Sequence, residues 1–513
     1  MASCDCVDGD LLVIKAIFFF YYSGLSCIYP YLSVYMKQVG LLPSQIGVIK
    51  SGGKFMSFII EPVIGTIADK TGRSKIVAVF SVLAASALVF SLFFVPPVTS
   101  TAASERDPAE PDKRDNEDAQ SWFTVTFWLF FWILFIANGV QFSTVFQVRA
   151  ATYQIIKKNG RGEFGRQRAF GSAGFALFGL LSGVAMDTIT NRTSPENPGN
   201  RTSPDIPGNK SDYSVAFYMY LTFMALSVAS LLVMKEWNIK PSPGLLKGMG
   251  RLFSQLHLIV VLFAVLLLGV YDGASGTFLF LHLKDLGARQ TVLGTYVVVK
   301  TVSEIPAFVI STWIIKKIGY PAVLGGGFLA FGLRFLLYSF VSNPWWAVAI
   351  DTLNGYQAVT WAAATSYASI SAPDDLQTVI QGIVATTFHG LGHTLGNLVG
   401  GPVFQHYGAV VLFRSVAVSC LIGFLLFCLL YGCFGRKENP TERHSDTGKE
   451  NERQRKPTLV PAMDVSESAA PRPGAFLSGG SVTNGAGEHI GLLRLVRPQD
   501  QDTADRMEAL ISH

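Results

Sequence analysis

Long apolar runs separated by short polar stretches fill most of the sequence. They cover about 11–36, 45–68, 74–97, 122–147, 167–186, 214–234, 256–281, 291–315, 321–341, 345–369, 377–402 and 409–433. Each is near the ~20 residues that a helix needs to cross a bilayer. They are too long and too uniformly apolar for the short alternating strands of a barrel. Lipid offers no partner to an open backbone group, so such runs must be helical. The pattern predicts an all-α polytopic membrane protein with about twelve transmembrane helices.

The runs repeat. Tyr31-Leu-Ser-Val-Tyr-Met-Lys37-Gln-Val-Gly40 matches Phe278-Leu-Phe-Leu-His-Leu-Lys284-Asp-Leu-Gly287, an offset of 247 residues from Tyr31 to Phe278. The same offset carries Lys70-Thr-Gly72 onto Lys317-Ile-Gly319. Two six-helix halves in parallel repeat are expected, over 11–234 and 256–434, with a basic cytoplasmic linker at 235–255. Proteins built this way place a solute near the bilayer midplane, between the halves. Residues 1–10 are a short cytoplasmic N-terminus. Residues 435–513 are polar and rich in Gly, Pro, Ser and charge, which predicts a disordered cytoplasmic tail.

Composition agrees with the pattern. Of 513 residues, 50% are hydrophobic and 15% charged, against roughly 25% charged in soluble domains. The net charge of +5 is small and sits in loops, so it sets topology rather than a nucleic-acid surface. Lys70, Arg73 and Lys75, then Lys157, Lys158, Arg161 and Arg166, then Lys235 to Arg251, then Lys316 and Lys317 mark alternate loops as cytoplasmic. Both termini are then inside. The loop after the fifth span holds three acceptor sequons, at Asn191, Asn200 and Asn209, and glycosylation requires the opposite side. Cys4, Cys6, Cys27, Cys420, Cys428 and Cys433 lack metal spacing, so no metal, cofactor or disulfide framework is expected. In the tail, Glu488 with Leu492 and Leu493 resembles an acidic dileucine sorting signal. It implies a trafficking adaptor as partner, and residence in the plasma membrane or an endosomal or lysosomal membrane.

Ionisable groups inside spans are costly and mark functional candidates. Lys54 lies ~13 Å into the second span at 1.5 Å per residue, on one face with Lys50 and Glu61. The tenth span aligns Asp351, Asn354, Gln357 and Trp361 at spacings of three and four, a polar and aromatic stripe suited to a small polar solute. The eleventh carries His389, His393 and Asn397 on one face, beside Gly392, Gly396 and Gly400, where another helix packs closely. Histidine exchanges protons near neutral pH. Asp272, Glu304 and Arg334 interrupt the seventh, eighth and ninth spans. No His/Asp, Ser/Lys or paired-Asp constellation of an intramembrane enzyme appears.

The loop Gly65-Thr-Ile-Ala-Asp69-Lys70-Thr-Gly72-Arg73-Ser-Lys75 resembles the signature between helices 2 and 3 of the major facilitator superfamily. The resemblance implies a gating loop whose acid meets the start of helix 11, here about Gln377. A helix N-terminus favours a carboxylate by ~0.3–1 kcal/mol. Asp69→Asn is therefore expected to move the population toward the inward-facing state, raising the labelling of cysteines on the cytoplasmic side. Unchanged labelling contradicts this.

Glu163 to Leu177, with Arg168 and Phe175, looks like the start of helix 5 in the lactose permease and its oligosaccharide–proton symporter relatives. There the matching arginine binds sugar and the matching aromatic stacks on it. The acidic partner that this family has on helix 4 does not appear, since the region reads Val148-Arg149-Ala150-Ala151-Thr152. Arg334 falls at that family's coupling arginine. Asn354 and Gln357 stand where it has a histidine and a proton-carrying glutamate. Glutamine releases no proton, so coupling passes to Asp272, Glu304, Asp351, His389 or His393, or the protein is an uncoupled facilitator.

Over most of residues 10–435 the sequence is similar to the "major facilitator superfamily domain-containing protein 6" group. Glu304-Ile-Pro306, Gly332-Leu-Arg334-Phe-Leu-Leu-Tyr338 and Trp361-Ala-Ala-Ala are among the phrases that carry it. The resemblance implies the fold and an alternating-access transporter but no solute; the polar and aromatic groups in the spans suit a small polar organic one, with a sugar, nucleoside or organic anion as candidates. Arg168, Phe175, Lys54, Asn354, Gln357 and Trp361 would line its site, with protons as an optional second cargo. The alternative is a non-transporting receptor or scaffold on the same fold.

Overall fold

The computed structural model describes residues 9–98, 122, 124–159, 164–193, 211–234, 256–371 and 377–432. The linker at 235–255, the tail with Glu488, Leu492 and Leu493, and the sequons at Asn200 and Asn209 lie outside them. All regular structure among the described residues is helical.

The first six passes comprise α1 (Gly9–Ile28), α2 (Leu32–Gln38), α3 (Pro43–Thr71), α4 (Ser74–Ser91), α5 (Val125–Asn159), α6 (Phe164–Thr193) and α7 (Ser214–Val233). The second six comprise α8 (Leu256–Asp285), α9 (Gln290–Ile318), α10 (Tyr320–Tyr338), α11 (Pro344–Ile350), α12 (Gly355–Ser371), α13 (Gln377–Ala385) and α14 (His393–Leu430). Nine helical stretches of the described residues are long and apolar enough to cross a membrane. Three more passes come from α3, whose charges dilute its hydropathy, from α11 with α12, and from the kink in α14. That kink is at Gly408, with φ 81°, and it separates the eleventh and twelfth passes.

The helices start and stop for local reasons. Pro43 opens α3, where its missing N–H costs nothing, and the Gln45 side chain accepts from the Leu42 N–H at 2.9 Å. Gly72 closes α3 with φ 61°, a left-handed cap that glycine takes without a Cβ clash. The 247-residue repeat appears in the backbone itself. Gly40 and Gly287 have φ 105° and 81°, and Gly72 and Gly319 have 61° and 83°. Leu41 N donates to Met36 O at 3.1 Å, and Ala288 N to Leu283 O at 2.9 Å.

Two boundaries correct the sequence reading. The helix expected to end at 147 continues to Asn159, so Lys157 and Lys158 lie on its last turns, and Arg166 lies on the first turn of α6. The helix expected to end at 186 continues to Thr193, which places Asn191 on its last turn, exposed, rather than in a loop. Both extensions are polar, and water or headgroups let a helix continue after the apolar run stops. The first predicted span is two helices, α1 and α2, broken near Pro30. The surroundings of Gly65 and Asp69 lie outside the described residues; Lys70 and Arg73 are exposed.

Large apolar side chains on the outside of the bundle meet no protein. Phe80, Val233, Val309 and Leu425 are 71%, 72%, 77% and 65% exposed, as a lipid-facing surface requires. Inside, α8 packs against α14 and α1 against α6.

The halves meet through α6 with α9 and α3 with α14. Among the described residues, their hydrogen bonds gather toward one end, that of Pro43, Asp187 and Arg289. The Asp187 carboxylate accepts from the backbone N–H of Gln290 at 3.0 Å and of Thr291 at 2.7 Å, and from Thr291 Oγ1 at 2.6 Å. It caps the positive end of α9 across the interface. Gln290 Nε2 donates to the Tyr213 hydroxyl at 2.8 Å, Ser51 Oγ to Thr394 O at 2.8 Å, and Lys37 pairs with Asp285. Small residues permit this closeness. A Cβ on Gly47 would sit 2.4 Å from Asn397 O, and one on Gly183 2.4 Å from Gln290 O.

Candidate functional site

Two polar clusters lie inside the second half. The first joins α9, α10 and the turn between α11 and α12. Residues Asp351–Asn354 form a 3-10 turn, where positions three apart fall in line, so Asp351 and Asn354 both address Arg334 on α10. Arg334 bonds Asp351, donates to Asn354 Oδ1 at 2.8 Å, and donates to the hydroxyls of Tyr338 at 2.8 Å and Tyr296 at 3.0 Å. Tyr338 and Tyr296 donate onward to Asp351 Oδ1 at 2.6 and 3.0 Å. Asn354 Nδ2 donates to Glu304 at 2.8 Å. Arg334, Asp351 and Asn354 are buried. Shared partners hold every member in one geometry.

The second cluster is looser. Asp272 on α8 stands 3.1 Å from His393 Nε2 and 3.8 Å from Lys300 Nζ on α9, and its Oδ1 accepts no hydrogen bond. Backbone packing brings these helices together: a Cβ on Gly273 would lie 2.6 Å from the His393 Cα, and one on Gly396 2.1 Å from Val270 O. The glycine stripe thus packs α14 on α8 as its spacing suggests. Just before His393 the chain makes a π-helical turn over Thr386–Gly392, a feature frequent at functional sites. Tyr296, Lys300 and Glu304 follow one another at four-residue spacing on α9, so this face links both clusters.

Trp361 contacts His389 and Phe388 at ring-centre distances of 5.3 and 5.2 Å, and His389 is 5.2 Å from His393. Gln357, Thr360, Trp361 and Phe388 line an apolar pocket with Phe331 and Leu268. The Gln357 side-chain oxygen there has no partner.

The first half faces this with cations. The Arg168 guanidinium lies 3.9 Å from the centre of the Tyr22 ring and 3.4 Å from Ser172 Oγ. Arg149 reaches the same Tyr22 hydroxyl. Lys54 lies 4.4 Å over the Phe142 ring. Phe175 is half-buried against the core. Lys54 and Arg149 are within electrostatic range of His389, and Lys54 of Asp272, so both halves converge here.

The structure thus gathers Asp272, His389, His393, Trp361 and Lys54 around one region. It places Arg334, Asp351, Asn354 and Glu304 in a separate buried network, and brings Arg168 onto Tyr22. Sequence reasoning passed over Lys300, Tyr296, Tyr338, Tyr22 and Asp187. Lys300 was findable, as a lysine inside a predicted span; the tyrosines and Asp187 gain meaning only from their partners. Among the described residues no group of three His, Cys, Asp or Glu side chains is placed to hold a metal ion.

The family model for the MFS_1 like family matches residues 11–415. The mouse "Major facilitator superfamily domain-containing protein 6-like" is 28% identical over 221 residues, 42% of this chain and 37% of that protein. The match thus spans little more than a third of that relative's length. The Bacillus subtilis "Uncharacterized transporter YwbF" is 22% identical over 80% of this chain and 91% of its own. A crystal structure of the nucleoside transporter NupG superposes with a TM-score of 0.65 at 16% identity, over 82% of this chain and 99% of that one.

Proposed function

The chain belongs to the MFS_1 like family, and on that premise we propose that it moves a small polar organic solute, a sugar, nucleoside or organic anion, by alternating access. The observation that carries this reading is an asymmetric bundle. Its halves are latched at one end by Asp187 of α6, which caps the start of α9, while polar groups of both halves converge deeper in the bundle. The charge rule favours the latched end as the outer one, and on that reading a closed outer end belongs to the inward-facing state of the cycle. Exposed Asn191, four residues beyond Asp187, is then on the side where glycans are added.

Asp272 is the proposed coupling group. Its carboxylate lies between Lys300, His393 and Lys54 without a full set of hydrogen bonds, so it can exchange partners as a proton or solute arrives. The Arg334 network is the fixed frame behind it, and Trp361 and Gln357 contact the solute. Each unit of pH gradient is worth about 1.4 kcal/mol per proton, which sustains roughly tenfold accumulation. In proteoliposomes, Asp272→Asn is expected to keep solute exchange but lose accumulation driven by a pH gradient. Accumulation equal to wild type would remove Asp272 from that role.

A further inference from the structure

The charges of the two halves are not alike. In the second half Asp272, Glu304 and Asp351 sit among Lys300, Arg334 and His393. The first half turns Lys50, Lys54, Arg149 and Arg168 toward the middle of the bundle, and none of them pairs with a carboxylate among the described residues. The described acidic side chains of that half are Asp10, Asp187 and Asp212. Asp10 lies in the first turn of α1. Asp187 caps α9 and Asp212 accepts from the Ser214 N–H, both at the latched end. Two of these cations lie over aromatic rings: Arg168 over Tyr22 and Lys54 over Phe142. A ring face attracts a cation but leaves its N–H donors free for another acceptor.

We propose that the transported solute is an organic anion with a planar apolar body, its carboxylate or phosphate held by Arg149, Arg168 and Lys54, its body against Tyr22, Trp361 and Phe388. This rests on the transporter reading and narrows it. A neutral sugar or nucleoside would bring no counter-ion to these like charges, which have none among the described carboxylates of their own half. An anion supplies that counter-ion, and guanidinium donors fit carboxylate and phosphate in pairs. Lys54, near both Asp272 and Arg149's neighbour His389, carries the arrival of the anion to the coupling cluster.

The test uses purified full-length protein and matched probes: 4-hydroxybenzoate against 4-hydroxybenzamide, and uridine 5′-monophosphate against uridine. Binding is read as protection against thermal unfolding, and transport as counterflow in proteoliposomes. At least one anion is expected to protect while its neutral partner does not. Arg149→Gln and Arg168→Gln should weaken that protection roughly ten- to hundredfold, the range of a charge-assisted hydrogen bond, with unliganded melting near wild type. Arg149→Lys should retain part of it. The carboxylate and phosphate arms show which head group is preferred. Neutral probes that bind as well as their anionic partners overturn the proposal, as does no protection by either anion up to about 10 mM, above the usual KM range. Anion binding without counterflow supports the anion site and counts against transport. Counterflow of neutral probes alone supports transport and overturns the anion site.

Discussion

Arg334→Ala is expected to destabilise the protein by about 3–5 kcal/mol, the cost of leaving one charge of a buried pair without its partner. Single interhelical hydrogen bonds in membrane proteins average only ~0.6 kcal/mol, so losing the bonds to Tyr338, Tyr296 and Asn354 does not produce this alone. The effect comes from Asp351. It is fully buried and would keep two tyrosine donors but no cation. Unfolding in detergent micelles at increasing denaturant should show the loss. The double variant Arg334→Leu with Asp351→Leu should recover most of it, because no unpaired charge remains. A single variant as stable as wild type would mean that this network does not frame the site.

Gly47→Trp is expected to slow transport about 5- to 150-fold while leaving solute binding in place. Gly47 faces the Asn397 carbonyl and the Gly401 Cα on α14, where even a Cβ would lie 2.4 Å and 3.2 Å away. Overpacking of this kind costs typically 1–3 kcal/mol, and here it falls only on the state in which the halves close at this end. A difference of that size shifts the population about 5- to 150-fold. Flux should fall by a similar factor, and Gly183→Trp, which meets Gln290 across the same interface, should behave alike. Flux at the wild-type level in both variants would mean that this end does not open and close during turnover.

The passes were legible in the sequence because lipid imposes one rule on every segment: enough apolar residues, and a backbone bonded to itself. The repeat was legible because Gly40, Gly72, Gly287 and Gly319 hold turns that other residues resist, so position and chemistry recur together. The helix ends were not. The ends of α5 and α6 run on into polar sequence where the apolar pattern has stopped. Asp351 read as one step of a helical stripe with Trp361, yet the 3-10 turn rotates it onto Arg334 and away from the pocket. Its partner lies 17 residues away in sequence, on another helix, and no local spacing announces that pairing. Lys300 shows the opposite case: its depth in an apolar run was visible, while its approach to Asp272, 28 residues earlier on another helix, appears only in the fold. Asp187 sat just beyond a predicted span, and only the fold shows it capping a helix of the other half.

Transport by alternating access can be tested without knowing the solute. Vesicles carrying wild-type protein or Gly47→Trp would be loaded with a mixture of small polar metabolites and diluted, and their contents followed by mass spectrometry. At least one metabolite should leave the wild-type vesicles quickly and be retained in the Gly47→Trp vesicles. If every metabolite leaves both at the same rate, the protein does not carry solutes between its halves.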